Sequence, residues 1–371
     1  MKVKRENLSI LFDGLLKGGA ETLVLAMLPF FKKKFKKIEI YFIDRGEPFS
    51  SDFQKYAALH PVSFWKILSL VFNKKGAFFY VNLAKPLFIV NLFVFFLGNR
   101  GNKLYCHEHT SQSFFSQQNG VYNLLGRIYL YLVRSNLKNA RLYYIVSSRA
   151  DLKSFLDLGI KSEYVILFPN SISRHKINFL SKIRRNYRVK KDINEIKCFT
   201  LCRLAPIKQL EWCIEAIYRV ASAMPQITFK LHICGKGGDF ERLNDIINSG
   251  KFFKENLEIY FQGYVPSATD YIKNCDFYLL SSKVEGSPLS LTEAACSGIN
   301  CISTPSSPAI LELCESFPNI HVCNENSLES FSELFMDIVT KHLSTPKLGE
   351  PKVRKHFNSL DENMIELLEK F

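Results

Sequence analysis

Residues 277–298 read FYLLSSKVEGSPLSLTEAACSG, and this stretch determines more about the fold than any other part of the chain. An apolar run over residues 277–280 predicts a buried strand, which ends in a polar turn that carries Glu285. Ser287 and Pro288 mark the start of a helix. We expect Pro288 at its first position, because the N–H that proline lacks would have no acceptor inside the helix there. Glu293 then falls within the first turns of that helix, with seven residues between it and Glu285.

The start of this helix is a predicted anion site. The backbone N–H groups of residues 289–291 have no acceptor inside the helix, so they can bind a negatively charged group. Glu285 and Glu293 bracket this point with two carboxylates, which can accept hydrogen bonds from hydroxyl groups. The pattern suits a phosphorylated sugar. A plain strand–loop–helix with surface glutamates is the alternative.

This stretch resembles the signature of the retaining glycosyltransferases of family 4, in which two glutamates are separated by seven residues and followed by Ala and Gly, as Ala294 and Gly298 follow here. The resemblance implies the GT-B architecture, an α/β fold of two facing Rossmann-like domains with an interdomain cleft. It also implies that Glu285 orients the hydroxyls of the transferred sugar and that Glu293 binds the ribose. The donor-binding residues implied between them are Gly286, Ser287, Pro288, Leu289 and Ser290.

The bulk composition supports a globular protein of two domains. The 371 residues exceed the usual size of a single core, and 47% of them are hydrophobic, which excludes a disordered chain. The ten cysteines include no Cys-x-x-Cys pair and lie mostly in apolar runs, so we expect reduced, buried thiols and no disulfide framework or zinc site.

The chain contains two successive sets of alternating strand and helix patterns, which predict two doubly wound domains with parallel strands. We place the first domain at residues 1–172, a basic and poorly patterned linker at 173–195, and the second, nucleotide-sugar-binding domain at 196–350. The tail at 353–371 has a helical pattern. In the resembled family the final helix packs back on the first domain.

Two cations follow the first strand of the second domain. Arg203 and Lys208 lie where open α/β sheets bind ligands, and together they can neutralise a diphosphate without a metal ion. The segment is similar to the family's Gly-Arg-Leu-x-x-x-Lys-Gly segment, and the resemblance assigns both residues to catalysis. Two departures are visible, because Cys202 and Gln209 stand where the family has glycine.

Three further loops are similar to donor-binding loops of the family. Gly18 and Gly19 follow the first strand, and the resemblance places them opposite the donor diphosphate. Gly235, together with Tyr264 and Val265, resembles the loops that enclose the nucleotide base through backbone contacts.

A histidine pair ends another strand of the first domain, at His107 and His109. We expect the two side chains to point to opposite faces, so that only one reaches a ligand. The resemblance favours His109 as the residue near the reacting sugar carbon, with His107 second. A metal site is not expected, because no third ligand lies at a suitable spacing and the chain has no Asp-x-Asp pair to hold Mg²⁺ or Mn²⁺ on a diphosphate.

The resemblance implies a retaining hexosyltransferase that uses a UDP- or GDP-sugar donor. The absence of an Asp-x-Asp pair, together with Arg203 and Lys208, predicts that it needs no metal or other cofactor. The resemblance implies a glycan or lipid-linked glycan acceptor in cell-surface polysaccharide synthesis, such as lipopolysaccharide or capsule. The pattern of reduced thiols predicts a cytoplasmic protein. The net charge of +14, with Lys32, Lys33, Lys34, Lys36 and Lys37 close together, predicts peripheral binding to an anionic inner membrane face, aided by an apolar segment at residues 78–97. Lysines that only keep a basic protein soluble are the alternative. A nucleotide-sugar 2-epimerase on the same fold and a non-enzymatic basic binding protein are the alternatives. Nucleic acid is not an expected partner, since no known binding motif is present.

Overall fold

A computed structural model describes residues 5–12, 15, 18–43, 50–63, 65–66, 69, 78–82, 103–109, 131–132, 135, 142–187, 194–344 and 357–371. The chain divides into two compact units. Unit 1 comprises Met1–Asn170 with Leu360–Phe371, and unit 2 comprises Ser171–Ser359.

Unit 1 is built on a seven-stranded sheet in the order β3-β2-β1-β4-β5-β6-β7, in which every pair is parallel. The strands are β1 (Arg5–Phe12), β2 (Phe35–Phe42), β3 (Ala58–Pro61), β4 (Phe78–Asn82), β5 (Lys103–His107), β6 (Leu142–Val146) and β7 (Val165–Leu167). The helices described before the unit boundary are α1 (Gly19–Lys34), α2 (Ser50–Gln54) and α3 (Arg149–Asp157), with a short 3₁₀ turn at Ser162–Tyr164.

The centre of this sheet is buried on both faces, which explains the nearly continuous apolar runs in its sequence. Leu8, Ile10 and Leu11 on β1 have no exposed surface. Helix α1 covers one face with a stripe of buried residues spaced three and four apart, including Val24 and Leu28.

Unit 2 contains a six-stranded parallel sheet in the order β10-β9-β8-β11-β12-β13. Its strands are β8 (Glu195–Leu201), β9 (Thr228–Cys234), β10 (Leu257–Gly263), β11 (Phe277–Leu280), β12 (Asn300–Ser303) and β13 (Ile320–Val322). Its helices are α4 (Arg174–Tyr187), α5 (Leu210–Ala223), α6 (Phe240–Asn248), α7 (Thr269–Asn274), α8 (Leu289–Ser297), α9 (Pro308–Ser316) and α10 (Leu328–Ser344), with a 3₁₀ turn at Pro206–Lys208.

Two apolar cores lie on opposite faces of this sheet. One contains residues of α5 and α10, such as Ile217 and Phe335, and the other contains residues of α4 and α8, such as Leu180 and Leu291. Helices on both faces of a parallel sheet are the doubly wound arrangement predicted from the alternating pattern. The α/β fold class is therefore confirmed.

The prediction of a poorly patterned linker at residues 173–195 is wrong for most of that segment. Residues 174–187 form helix α4, and this helix belongs to unit 2. Its many basic residues make the apolar pattern hard to detect in the sequence. Ile177 and Leu180, three residues apart, pack into the core beside α8.

The tail forms helix α11 (Leu360–Lys370), which the structure places in unit 1. The final residue, Phe371, stacks on Tyr105 with ring centroids 3.7 Å apart and meets the edge of Phe31 at 5.5 Å. Tyr105 also donates a hydrogen bond of 2.9 Å to the carbonyl of Lys370. These contacts fix the last turn of the chain against α1 and β5.

The clustered lysines do not all lie at the end of α1. Lys36 and Lys37 belong to β2, and Lys37 pairs with Glu39 at 2.9 Å. Lys34 bonds to the carbonyl of Leu368 in α11. Of the apolar segment at 78–97, residues 83–97 lie outside the described residues. Across the part of the chain that is described, no helix is both long enough and apolar enough to span a membrane.

Candidate functional site

The predicted donor-site residues of unit 2 follow the carboxyl ends of its central strands. Strand β8 lies between β9 and β11, so the chain leaves β8 towards one edge of the sheet and later returns to the other side at β11. The gap between β8 and β11 is therefore the topological switch point, where open α/β sheets bind ligands. The loops of Lys208 and Glu285 leave these two strands and meet there, since the N–H of Lys283 donates to the carbonyl of Ile207 at 2.8 Å.

Glu285 is held in place by a lysine and a serine. Its Oε1 atom lies 2.6 Å from the Nζ of Lys208 and also accepts a 2.6 Å hydrogen bond from Ser282. Both charged side chains are largely buried, with 17% of Lys208 and 11% of Glu285 exposed. The Ser281 hydroxyl donates to the Lys208 carbonyl at 2.9 Å, which fixes the lysine's backbone as well. The structure thus brings together two residues that sequence analysis assigned to separate motifs.

Glu293 has an ion-pair partner that sequence analysis missed. The Nζ of Lys176, on helix α4, lies 2.5 Å from the Oε1 of Glu293, which is buried on the second turn of α8. Lys176 belongs to the segment predicted as a linker, and its separation from Glu293 by 117 residues gave no local signal.

Helix α8 begins one residue later than predicted. Pro288 has an extended backbone and is the N-cap, so Leu289 is the first helical residue. No side chain caps this end, and the carbonyl of Gly286 accepts a hydrogen bond of 2.6 Å from Ser307. Ser290 is held from below by the buried Tyr278, whose hydroxyl lies 2.8 Å from its Oγ. The N–H groups of the first turn, including that of Ser290, keep the anion-binding geometry expected of a helix start.

The loop of Arg203 is fixed by its neighbour from β9. The N–H of Cys202 donates to the Cys234 carbonyl at 3.1 Å, and that of Leu204 donates to the Lys236 carbonyl at 3.0 Å. Arg203, which lies between these two bonds, is exposed and forms no ion pair with any described residue. Its guanidinium therefore remains available for an anionic ligand.

Gly235 is required by this packing. Its φ of +143° is a conformation that residues with a side chain rarely adopt, and a Cβ atom there would lie 1.8 Å from the Cys202 carbonyl oxygen. The structure therefore gives Gly235 a role in holding the Arg203 loop. Its predicted contact with a nucleotide base stays a prediction.

Gln209, which stands where the resembled family has glycine, has a left-handed backbone with φ of 46°. Among the described residues it is the only one other than glycine with positive φ. The conformation explains the family's glycine and shows that the departure leaves the turn intact, at a cost of about 1–2 kcal/mol.

The loop after β10 carries the remaining predicted donor residues of unit 2. The N–H of Gly235 donates to the carbonyl of Gly263 at 2.7 Å, so this loop adjoins the Gly235 turn. Tyr264 and Val265 follow directly, and 37% of Tyr264 is exposed. Their predicted contact with the nucleotide base stays a prediction.

In unit 1, His107 is the last residue of β5, and it lies on the same side as His109, which makes the expectation of opposite faces wrong. Residues two apart on an extended chain share a face. The rings of His107 and His109 lie 4.1 Å apart, centroid to centroid. His107 is fully buried and its Nδ1 contacts the Tyr80 hydroxyl, whereas His109 is half-buried. Burial lowers the pKa of His109 to about 4, so the ring is neutral at pH 7.

Gly18 and Gly19 lie at the start of α1 and do not form a strained turn. Gly18 is the N-cap with an extended backbone (φ −118°), and Gly19 is the first helical residue. A Cβ on Gly18 would meet only the flexible carboxylate of Glu21, and one on Gly19 would meet nothing within 4 Å. Neither residue has a side chain that could cover the N–H groups of the helix start, which is compatible with their predicted role.

The described part of the chain contains no group of three His, Cys, Asp or Glu side chains that could hold a metal ion. Its cysteines are all free thiols. Burial raises the pKa of both Cys202 and Cys213 to about 12, so neither is a thiolate at neutral pH.

Comparison with known proteins gives a family match that falls within unit 2. Residues 195–340 match the family model described as glycosyl transferases group 1. A curated relative, the GtfA subunit of a UDP-N-acetylglucosamine–peptide N-acetylglucosaminyltransferase from Streptococcus agalactiae, is 31% identical over 162 residues, which is 43% of this chain. The chain spans only 29% of that relative's length.

Solved structures show the same fold over nearly the whole chain. HepE from Anabaena, in complex with UDP-glucose, has a TM-score of 0.69 at 17% identity, covering 98% of this chain and 100% of HepE. WaaG, a glycosyltransferase involved in lipopolysaccharide biosynthesis, has a TM-score of 0.67 at 12% identity, covering 98% of this chain and 95% of WaaG. The chain therefore has the GT-B fold, and its residues 195–340 match the family model of group 1 glycosyl transferases.

Proposed function

We propose that this protein transfers a sugar from a nucleoside-diphosphate sugar to a glycan or lipid-linked glycan, with retention of the anomeric configuration and without a divalent metal. The observation that carries the proposal is the Lys208–Glu285 ion pair at the switch point of unit 2, on loops that also carry Arg203 and lead to the start of α8, which no side chain caps. This arrangement offers cations and N–H groups to a diphosphate and carboxylates to hydroxyl groups.

Sugar transfer requires the stabilisation of two opposite charges in the transition state. As the bond between the sugar carbon and the phosphate oxygen breaks, negative charge grows on the diphosphate and positive charge on the sugar. Arg203, Lys208 and the N–H groups at the start of α8 stabilise the former, and preorganised groups of this kind are among the largest contributions to catalysis. Glu285 orients the sugar, and the neutral imidazole of His109 is proposed to contact it near the reacting carbon.

Retention follows from attack on the face that the leaving group occupies. The acceptor oxygen forms its bond to the sugar carbon, and its proton passes to the departing phosphate oxygen. This step needs no side chain to act as a base, because the departing phosphate oxygen takes the proton. The proposal therefore requires no further titrating residue beyond those at the site.

A UDP-sugar is the proposed donor. The streptococcal relative is named for UDP-N-acetylglucosamine, and the HepE structure contains UDP-glucose. A GDP-sugar remains the second donor to be tried. The acceptor is proposed to be a lipid-linked glycan at the cytoplasmic face of a membrane, because exposed Lys33 and Lys36 add positive charge to unit 1.

The direct test is to incubate the full chain with a panel of UDP- and GDP-sugars and crude lipid-linked glycan, and to measure released nucleotide by chromatography. Transfer with retention predicts free UDP, and an α-linked product from an α-linked donor by NMR. Conversion of the donor to its 2-epimer would support the epimerase alternative. No product and no nucleotide binding would support a non-enzymatic protein.

A further inference from the structure

We infer that Lys176 is a positioning residue that aims the carboxylate of Glu293 at the ribose diol of the bound nucleotide. The inference rests on the proposed function, because it assumes that unit 2 binds a ribonucleotide. It adds helix α4 to the site, a segment that the recognised motifs do not include.

The geometry of the pair leaves one carboxylate oxygen engaged and the other available. The Oε1 of Glu293 lies 2.5 Å from the Nζ of Lys176, whereas its Oε2 has no hydrogen-bond partner among the described residues. Glu285 repeats this arrangement, with Oε1 bound by Lys208 and Ser282. Each glutamate of the site is therefore held by a lysine at one oxygen and can accept a hydrogen bond at the other.

The charge of the pair indicates what it binds. Because Lys176 already neutralises Glu293, a second cation gains little there, and the carboxylate repels a phosphate. A neutral hydroxyl is the ligand that fits. A carboxylate held at one oxygen accepts a hydrogen bond from a ribose hydroxyl at the other without losing its ion pair.

Lys176 lies on a helix that packs against the helix of Glu293. The next residue, Ile177, and Leu180 are buried against Leu291 and Ala294 of α8, so the helices that carry the lysine and the glutamate share one core. The lysine side chain is 35% exposed and that of Glu293 is 10% exposed. Removal of the lysine leaves a largely buried carboxylate without a counter-charge, and we expect that carboxylate to turn towards solvent and away from the ligand.

The test measures binding of UDP and of 2′,3′-dideoxy-UDP to the full chain by calorimetry. A charge-assisted hydrogen bond predicts that the wild type prefers UDP by about 10- to 100-fold. In K176M we expect this preference to fall to less than about threefold, and in K176R to be largely restored. The control is K182M, which removes an exposed lysine from the same helix and should keep the wild-type preference.

A double variant separates positioning from a general loss of structure. If Lys176 acts through Glu293, then K176M should not change the preference further in an E293Q background, and thermal unfolding should show each variant folded. A K176M protein that keeps the full preference for UDP would overturn the inference while leaving the proposed function intact. A wild type that binds neither UDP nor GDP would refute the proposed function itself.

Discussion

Replacing Gly235 with alanine should loosen the Arg203 loop and weaken nucleotide binding together. The new Cβ would lie 1.8 Å from the Cys202 oxygen and 3.0 Å from its carbon, so the two loops must separate by roughly 1.5 Å to reach ordinary contact. The backbone conformation at φ +143° adds strain of about 1–3 kcal/mol for a residue with a side chain. With the disturbed loop packing, we expect a loss of about 2–4 kcal/mol in the stability of unit 2.

Thermal unfolding and UDP calorimetry measure the two effects. For a unit of this size, the expected fall in Tm is roughly 5–15 °C, and displacement of Arg203 should weaken UDP binding about tenfold. Gly238→Ala is the matched control, because a Cβ at Gly238 meets nothing within 4 Å and its φ is not positive. If Gly235→Ala and Gly238→Ala unfold within 1 °C of each other and bind UDP alike, then Gly235 does not hold the Arg203 loop in place.

Three further predictions concern the cations, the histidine and the lysines. Arg203→Ala and Lys208→Ala should each lower UDP affinity and transfer rate by at least about tenfold, and EDTA should not change the wild-type rate; activity that EDTA abolishes and Mn²⁺ restores would contradict the metal-free proposal. Because burial lowers the pKa of His109 from 6.5 to about 4, its contribution to stability is present above pH 6.5 and lost as the pH falls to 4, by up to ~3 kcal/mol. Urea unfolding at pH 7 and pH 4.5 should show a smaller acid loss in His109→Gln, and an equal loss would refute this. Liposome flotation should require acidic lipid and weaken with salt and in Lys32, Lys33 and Lys36→Gln variants, whereas equal binding to neutral vesicles would exclude the membrane proposal.

Much of the site could be predicted because its residues follow strands that are obvious in the sequence. The apolar run of β11 and the Gly-Ser-Pro-Leu turn place Glu285 at the carboxyl end of a strand, and β8 does the same for Arg203 and Lys208. Local pattern was sufficient for these residues. The helix start at Leu289, one residue after the expected position, reflects the extended backbone that Pro288 adopts as N-cap.

Contacts between distant segments could not be predicted. Lys176 meets Glu293 only because α4 packs on α8, and the basic composition of α4 conceals the apolar residues that drive this packing. The Lys208–Glu285 pair likewise depends on strand order, which places β8 beside β11 although several elements separate them in the chain. The prediction that His107 and His109 point to opposite faces was wrong for another reason. Their two-residue spacing on an extended chain already implied a shared face.

If the glutamates of unit 2 are needed for sugar transfer, the Glu285→Ala variant should lose turnover. Nucleotide release from the UDP-sugar that the wild type uses, with acceptor present, should fall by at least about a hundredfold, because the sugar loses the carboxylate that orients it. Thermal unfolding should show that the variant is folded, although Lys208 loses its partner. A folded Glu285→Ala protein that releases UDP at the wild-type rate would contradict the account.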